Sequence, residues 1–209
     1  MGFSPSDPAT VSSPRVDVVW LPVGAGGHVA VHTSRCWELF RAHREHRSPR
    51  PLFHAALEVF DGDARHVIEM APAWSGPAGE RGVVMTGPVG ARPLGVIRLF
   101  RYEIRCWRDG HIPDRAWAVS PPVSLPMSRA GSRALLAQVP DLPRHVWGRD
   151  VFGIGDMWNS NSVISWLLTV SGLRVSTLRP PQGGAAPGWR SGVVAALSRA
   201  EGQCAMTLG

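Results

Sequence analysis

The chain contains no lysine; all 22 of its basic residues are arginine. Arginine, alanine, glycine and proline are all abundant, the signature of a GC-rich coding bias. Such a bias lifts the isoelectric point to about 10.8 without building a phosphate footprint. The arginines are dispersed, and the densest stretch, Arg41 to Arg50, reads as the solvated face of a helix. A nucleic-acid partner is therefore not expected, despite the net charge of +6. Cysteine is scarce: Cys36, Cys106 and Cys204 are odd in number and form no CxxC, which argues against a disulfide framework and for reduced thiols. No apolar run approaches the roughly 18 residues that a membrane-spanning helix needs. The opening MGFSPSDPATVSSP has neither the charged n-region nor the apolar h-region of a secretory signal. Met1-Gly2 with Ser6 matches a myristoylation pattern by letter only. These absences lead to the expectation of a cytoplasmic protein without a membrane span.

What is present describes a globular domain. With 209 residues, 44% of them hydrophobic and 18% charged, the chain can bury about two-thirds of its unfolded surface. Residues 1–15, rich in Ser and Pro, read as a disordered leader, and 16–209 as a single domain. Strands are expected at 16–23, 28–32, 52–60, 65–70, 83–85 and 96–107, on β-branched content and alternation. Asp61-Gly62 marks a hairpin between the third and fourth of these. Helices are expected from Ser34, over 128–139, over 160–170 with Gly172 beyond its end, and over 190–201. Strands in a row with helices at the edges predict an α+β class, an antiparallel sheet with helices packed against it.

Several motifs fail on inspection. Gly24-Ala25-Gly26-Gly27 follows a strand, but Val29 stands where the third glycine of GxGxxG belongs, so a tight turn is the simpler reading. His28 and His32 would lie about 13 Å apart on one strand, too far to share an ion. His43 and His46 lie one helical turn apart without further ligands nearby. No metal or cofactor is expected.

The more informative pairing is FHAALEVFDGDARHVIEM with WNSNSVISWLL. With a turn centred on Asp61, His66 would pair opposite Ala56 and become a same-face diagonal neighbour of His54, about 7 Å away. A slip of one residue would send the two rings to opposite faces. Downstream, Ser160 opens a helix after the Gly-rich stretch Gly153-Ile154-Gly155. A hydroxyl there gains the positive end of the dipole and free N–H groups for an oxyanion, but needs an imidazole base. Asn159-Ser160 also fits a plain helix cap. Cys106, within a strand, reads as a packed thiol.

A strand beginning H-x-x-L-x-V at His54, a DG turn, a second His twelve residues on, and later Asn159-Ser160 at a helix start form a recognisable order. It resembles the circularly permuted papain-like fold of the NlpC-type peptidase superfamily, which includes lecithin–retinol acyltransferase and its phospholipase/acyltransferase relatives. The resemblance spans His54 to Val170. It implies His54 as general base, His66 as the orienting polar residue and Ser160 as nucleophile. Asn159, Ser160 and Val163 then stand at the positions of an Asn-Cys-x-x-Phe element, with Ser in place of Cys. Ser162 is a second candidate, but it would break the alignment of Val163. Asn159, Asn161, Tyr102 and Trp158 are the candidates for substrate or oxyanion contacts. The implied function is a hydrolase or acyltransferase acting on an ester or amide of a small-molecule, peptide or acyl substrate. The alternative is a catalytically inactive binding or scaffold protein on the same fold.

Overall fold

The structure, a computed structural model, describes residues 13–24, 38–73 and 82–207, with only the backbone of 203–207. The leader up to residue 12, the strand at 28–32, the helix start at Ser34, and Cys36 lie outside the described residues. Six strands form one antiparallel sheet: β1 (Arg15–Pro22), β2 (Phe53–Phe60), β3 (Arg65–Pro72), β4 (Val83–Pro88), β5 (Arg101–Arg108) and β6 (Val123–Pro126). Their order across the sheet is β4-β5-β3-β2-β1-β6. Three α-helices follow the strands, α1 (Arg129–Ala137), α2 (Ser160–Val170) and α3 (Trp189–Thr207), and residues 38–44 are also helical. The α+β expectation holds.

Alternation decides which side chains meet. On one face, Phe53, Ala55, Leu57 and Val59 of β2 join Val16, Val18 and Trp20 of β1 and the buried stripe of α2, Val163, Ile164, Trp166 and Leu167. This is the main core, and α2 lies on it because nine consecutive residues, Ser160 to Leu168, are buried. The opposite face carries a small cluster of Val19, Leu21, Ala56, Val67 and Ile112. It also carries buried charge. Asp17 and Glu58 are cross-strand partners, and each is held by an arginine, Arg15 at 3.0 Å and Arg65 at 2.7 Å. Arg105 bridges Glu69 at 2.9 Å and Glu103 at 3.1 Å. Buried carboxylates are tolerable only when so paired.

The hairpin of β2 and β3 forms as expected, but its register differs. Phe60 pairs with Arg65, and His66 lies opposite Val59 rather than Ala56. The connection is four residues long because Asp61 Oδ1 accepts from the backbone N–H groups of Asp63 (2.9 Å) and Ala64 (2.8 Å), with Gly62 at φ 95°. Pairing ends at Leu57–Ile68, beyond which β3 continues against β5 alone.

Other expectations need correction. The strand proposed over 96–107 starts only at Arg101, because 92–96 and 98–100 form 3-10 turns around Pro93 and Gly95. β6 was not expected; Pro121, Pro122 and Pro126 conceal it, yet proline is compatible with a sheet edge. α3 runs on to Thr207, past the expected end at 201. The helices at 129–137 and 160–170 stand where their caps place them: Ser128 Oγ accepts from Gly131 N at 3.0 Å.

Candidate functional site

The Asn159-Ser160-Asn161-Ser162 run opens α2, and three of its four side chains are fully engaged. Asn159 is the extended N-cap, its Oδ1 accepting from Asn161 N at 2.9 Å. Ser162 Oγ closes the capping box by accepting from Asn159 N at 3.0 Å, and it donates to Gly188 O at 2.7 Å. Asn161 reaches sideways into the sheet. Its Oδ1 accepts from Ala55 N (2.8 Å) and its Nδ2 donates to Phe53 O (3.0 Å) and Pro187 O (2.8 Å). The carboxamide thus occupies the edge of β2 that β3 has left, acting as one residue of a missing strand. Ala185 O continues the substitution by accepting from Phe53 N at 2.9 Å.

Residues 187–192, the entry to α3, complete this joint. Asn159 Nδ2 donates to Pro187 O at 2.9 Å, and Ser165 Oγ to Trp189 O at 2.8 Å. Asp156 caps α3, accepting from Gly188 N at 2.6 Å and Arg190 N at 3.1 Å. α2 and α3 approach so closely that a Cβ on Gly192 would lie 2.0 Å from Ser162 O. The signal for this seam was the spacing of small residues, Gly188, Ser191 and Gly192 against Ser162 and Ser165.

Ser160 differs from its neighbours. It is 5% exposed, and among the described residues its hydroxyl has no hydrogen-bond partner. Asn161 brings this helix start beside the His54 segment, across 106 residues of sequence. The imidazole, however, belongs to the opposite face. His54 is the cross-strand partner of Leu21, and both lie on the side of Val19 and Ala56, away from the body of α2. No hydrogen bond joins Ser160 to His54 among the described residues. Burial pushes the His54 imidazole down to about 4, so it is neutral near pH 7.

His66 fails in the complementary way. Opposite Val59, it shares the core face with α2, but it stands four residues further along β2 than Ala55, about 13 Å from the Asn161 contact. Its Nδ1 is buried, with no partner among the described residues. One imidazole is therefore at the right end of β2 on the wrong face, and the other on the right face at the wrong end. The expected convergence of Ser160, His54 and His66 is not met, because the four-residue connection at Asp61 shifts the register by an odd number.

The oxyanion candidates are engaged elsewhere. Tyr102 is fully buried against Gly87, donates its hydroxyl to His145 O at 2.9 Å, and has its pKa raised by burial to about 12. Trp158 is fully buried, its indole N–H has no partner among the described residues, and the ring of His145 meets it edge-on at 4.7 Å. His145, which sequence reasoning passed over for want of a periodic element around it, also meets Phe152 at 5.3 Å; burial lowers its pKa. Cys106 is half-buried and burial raises its thiol to about 11, the environment of a packed rather than a reactive cysteine. Among the described residues, no three His, Cys, Asp or Glu side chains gather as a ligand set, and no helix is long and apolar enough to cross a membrane. No protein-family model, curated protein or solved structure matches the chain.

Proposed function

We propose that the chain is a non-catalytic binding or scaffold protein, in which the Asn159–Ser162 run is a structural joint. One observation carries this reading: the Asn161 carboxamide is used up in holding β2 to α2 and Pro187, while the two imidazoles that acyl chemistry would need lie apart. The full chain is expected to resist labelling by a fluorophosphonate probe. Stoichiometric labelling that disappears in Ser160→Ala would overturn the proposal.

A second reading is favoured by Ser160 itself. The residue is only 5% exposed, its hydroxyl has no hydrogen-bond partner among the described residues, and it stands at the first position of an 11-residue helix beside a segment holding a neutral histidine. On that reading Ser160 attacks an ester or amide carbonyl, the helix N-terminus stabilises the oxyanion, and His54 takes the hydroxyl proton after its ring turns from the opposite face of β2 towards α2. The permuted papain-like resemblance supplies the same assignment. His54→Ala would then abolish labelling as completely as Ser160→Ala, and the double variant would be no worse.

A further inference from the structure

The far edge of the sheet carries a surface that the joint does not use. Between β4 and β5 the chain makes two 3-10 turns, Arg92–Val96 and Arg98–Phe100, neither of which buries a single residue. Val96 is 78% exposed, Leu99 60% and Ile97 50%, with Leu94 and Phe100 exposed beside them. The projection is held from within. Arg101 donates from Nε to Gly95 O at 2.5 Å and from Nη2 to Val96 O at 2.8 Å, and Arg98 reaches Ala73 O at 3.2 Å. Residues 82–102 contain no Asp or Glu. Among the described residues Arg92, Arg98 and Arg101 form no ion pair. A recess of about 300 Å³ beneath the turn is lined by Arg92, Arg101 and Thr86.

We propose that this projection docks the protein on an anionic phospholipid surface. Val96, Ile97 and Leu99 enter the interfacial layer, and Arg92 and Arg98 meet headgroup phosphates. Charge selects the occupant. A second copy would set these arginines against themselves, and a single-stranded nucleic acid would call for aromatic stacking platforms where the most exposed residues here are branched aliphatics. A docking helix would want an apolar groove, whereas the recess beneath the turn carries Arg92, Arg101 and Thr86 in its lining. Aliphatic groups flanked by unpaired cations are the combination that a negatively charged bilayer interface binds. The inference is independent of whether Ser160 reacts, since the surface lies at the edge of the sheet away from α2.

The test is co-sedimentation of the full chain with vesicles of phosphatidylcholine alone and of phosphatidylcholine mixed with phosphatidylserine. Binding is expected only to the mixed vesicles, and it should weaken as salt is raised. With each arginine near the surface worth roughly fivefold, Arg92→Gln with Arg98→Gln should weaken binding about 30-fold. Arg92→Lys with Arg98→Lys should restore it. Val96→Ser with Leu99→Ser should cost at least about tenfold with the charge untouched. All of these positions are exposed, and unchanged tryptophan fluorescence would verify the fold. Equal binding to neutral vesicles, no binding at all, or insensitivity to both variant pairs would overturn the proposal. So would RNA retention or self-association that depends on these residues without vesicle binding, or competition by soluble glycerol phosphate, which would mean a small-anion site.

Discussion

Replacing Asn161 by alanine removes the group that stands in for a strand beside β2, and the structure gives the size of the effect. Pro187 O keeps the Asn159 Nδ2 bond, so it stays paired. Ala55 N and Phe53 O lose their partner at a site that is buried between helix and sheet. Each buried backbone group left unpaired costs about 1–3 kcal/mol, so the variant should lose about 2–6 kcal/mol. Urea unfolding followed by tryptophan fluorescence would measure this; in a domain of this size each kcal/mol also lowers Tm by about 2–4 °C. Asn161→Asp refines the test. Its ionised carboxylate can accept from Ala55 N but would face the carbonyls of Phe53 and Pro187, so its folded pKa must rise above the unfolded value near 4. A raised carboxyl pKa means that stability is fully present below the unfolded pKa and is lost as pH rises through the folded one. The aspartate variant should therefore weaken from acidic to neutral pH while the alanine variant does not. An alanine variant within about 0.5 kcal/mol of the native protein, the range of surface substitutions, would refute the strand-surrogate argument.

Ser162→Ala should destabilise by about 1–3 kcal/mol, because Asn159 N loses its partner while Gly188 O keeps Gly192 N, whereas Ser160→Ala should stay within about 0.5 kcal/mol; chemical denaturation of the two side by side decides. Gly192→Ala should destabilise by about 1–3 kcal/mol even though alanine is the better helix former, since its Cβ would strike Ser162 O; a gain in stability would contradict the close approach of α2 and α3. His54, held down to about 4 by burial, contributes stability that is present above its unfolded pKa near 6.5 and is lost as pH falls towards 4. The loss should be at most about 3 kcal/mol, and His54→Leu should flatten the stability profile across that window.

Those elements that local rules specify were legible in the sequence. Ser160 to Val170 is a helix because Asn159 caps it and an apolar stripe follows, and both facts lie within a dozen residues. The strands β2 and β3 follow from alternation on either side of Asp61-Gly62. Their register was not legible, because it depends on where one aspartate oxygen finds its donors, and each added turn residue inverts the facing of a strand. The error propagated: a same-face pair of histidines became an opposite-face pair. Asn161 looked like a neighbour of the site because its partners lie 106 and 26 residues away, beyond any spacing rule. The small residues from Gly184 to Gly192 look like loop composition, and their fitness for close helix contact shows only when α2 is set against them.

The same carboxamide has a consequence for the order in which the protein is made. It ties β2 at Phe53 to Pro187, and those two residues emerge from a ribosome 134 positions apart. At about 5–20 residues per second, Phe53 O waits roughly 5–22 s for Asn161, and Phe53 N roughly 7–26 s for Ala185. During that interval a nascent strand offers an open N–H and C=O to any neighbouring chain, the situation in which edge-to-edge association begins. The hairpin with β3 shortens the exposed length, since residues 57–60 are covered within a few residues of synthesis. What stays open is the stretch from Phe53 to Ala55, so newly made chains truncated before residue 185 should be the aggregation-prone ones.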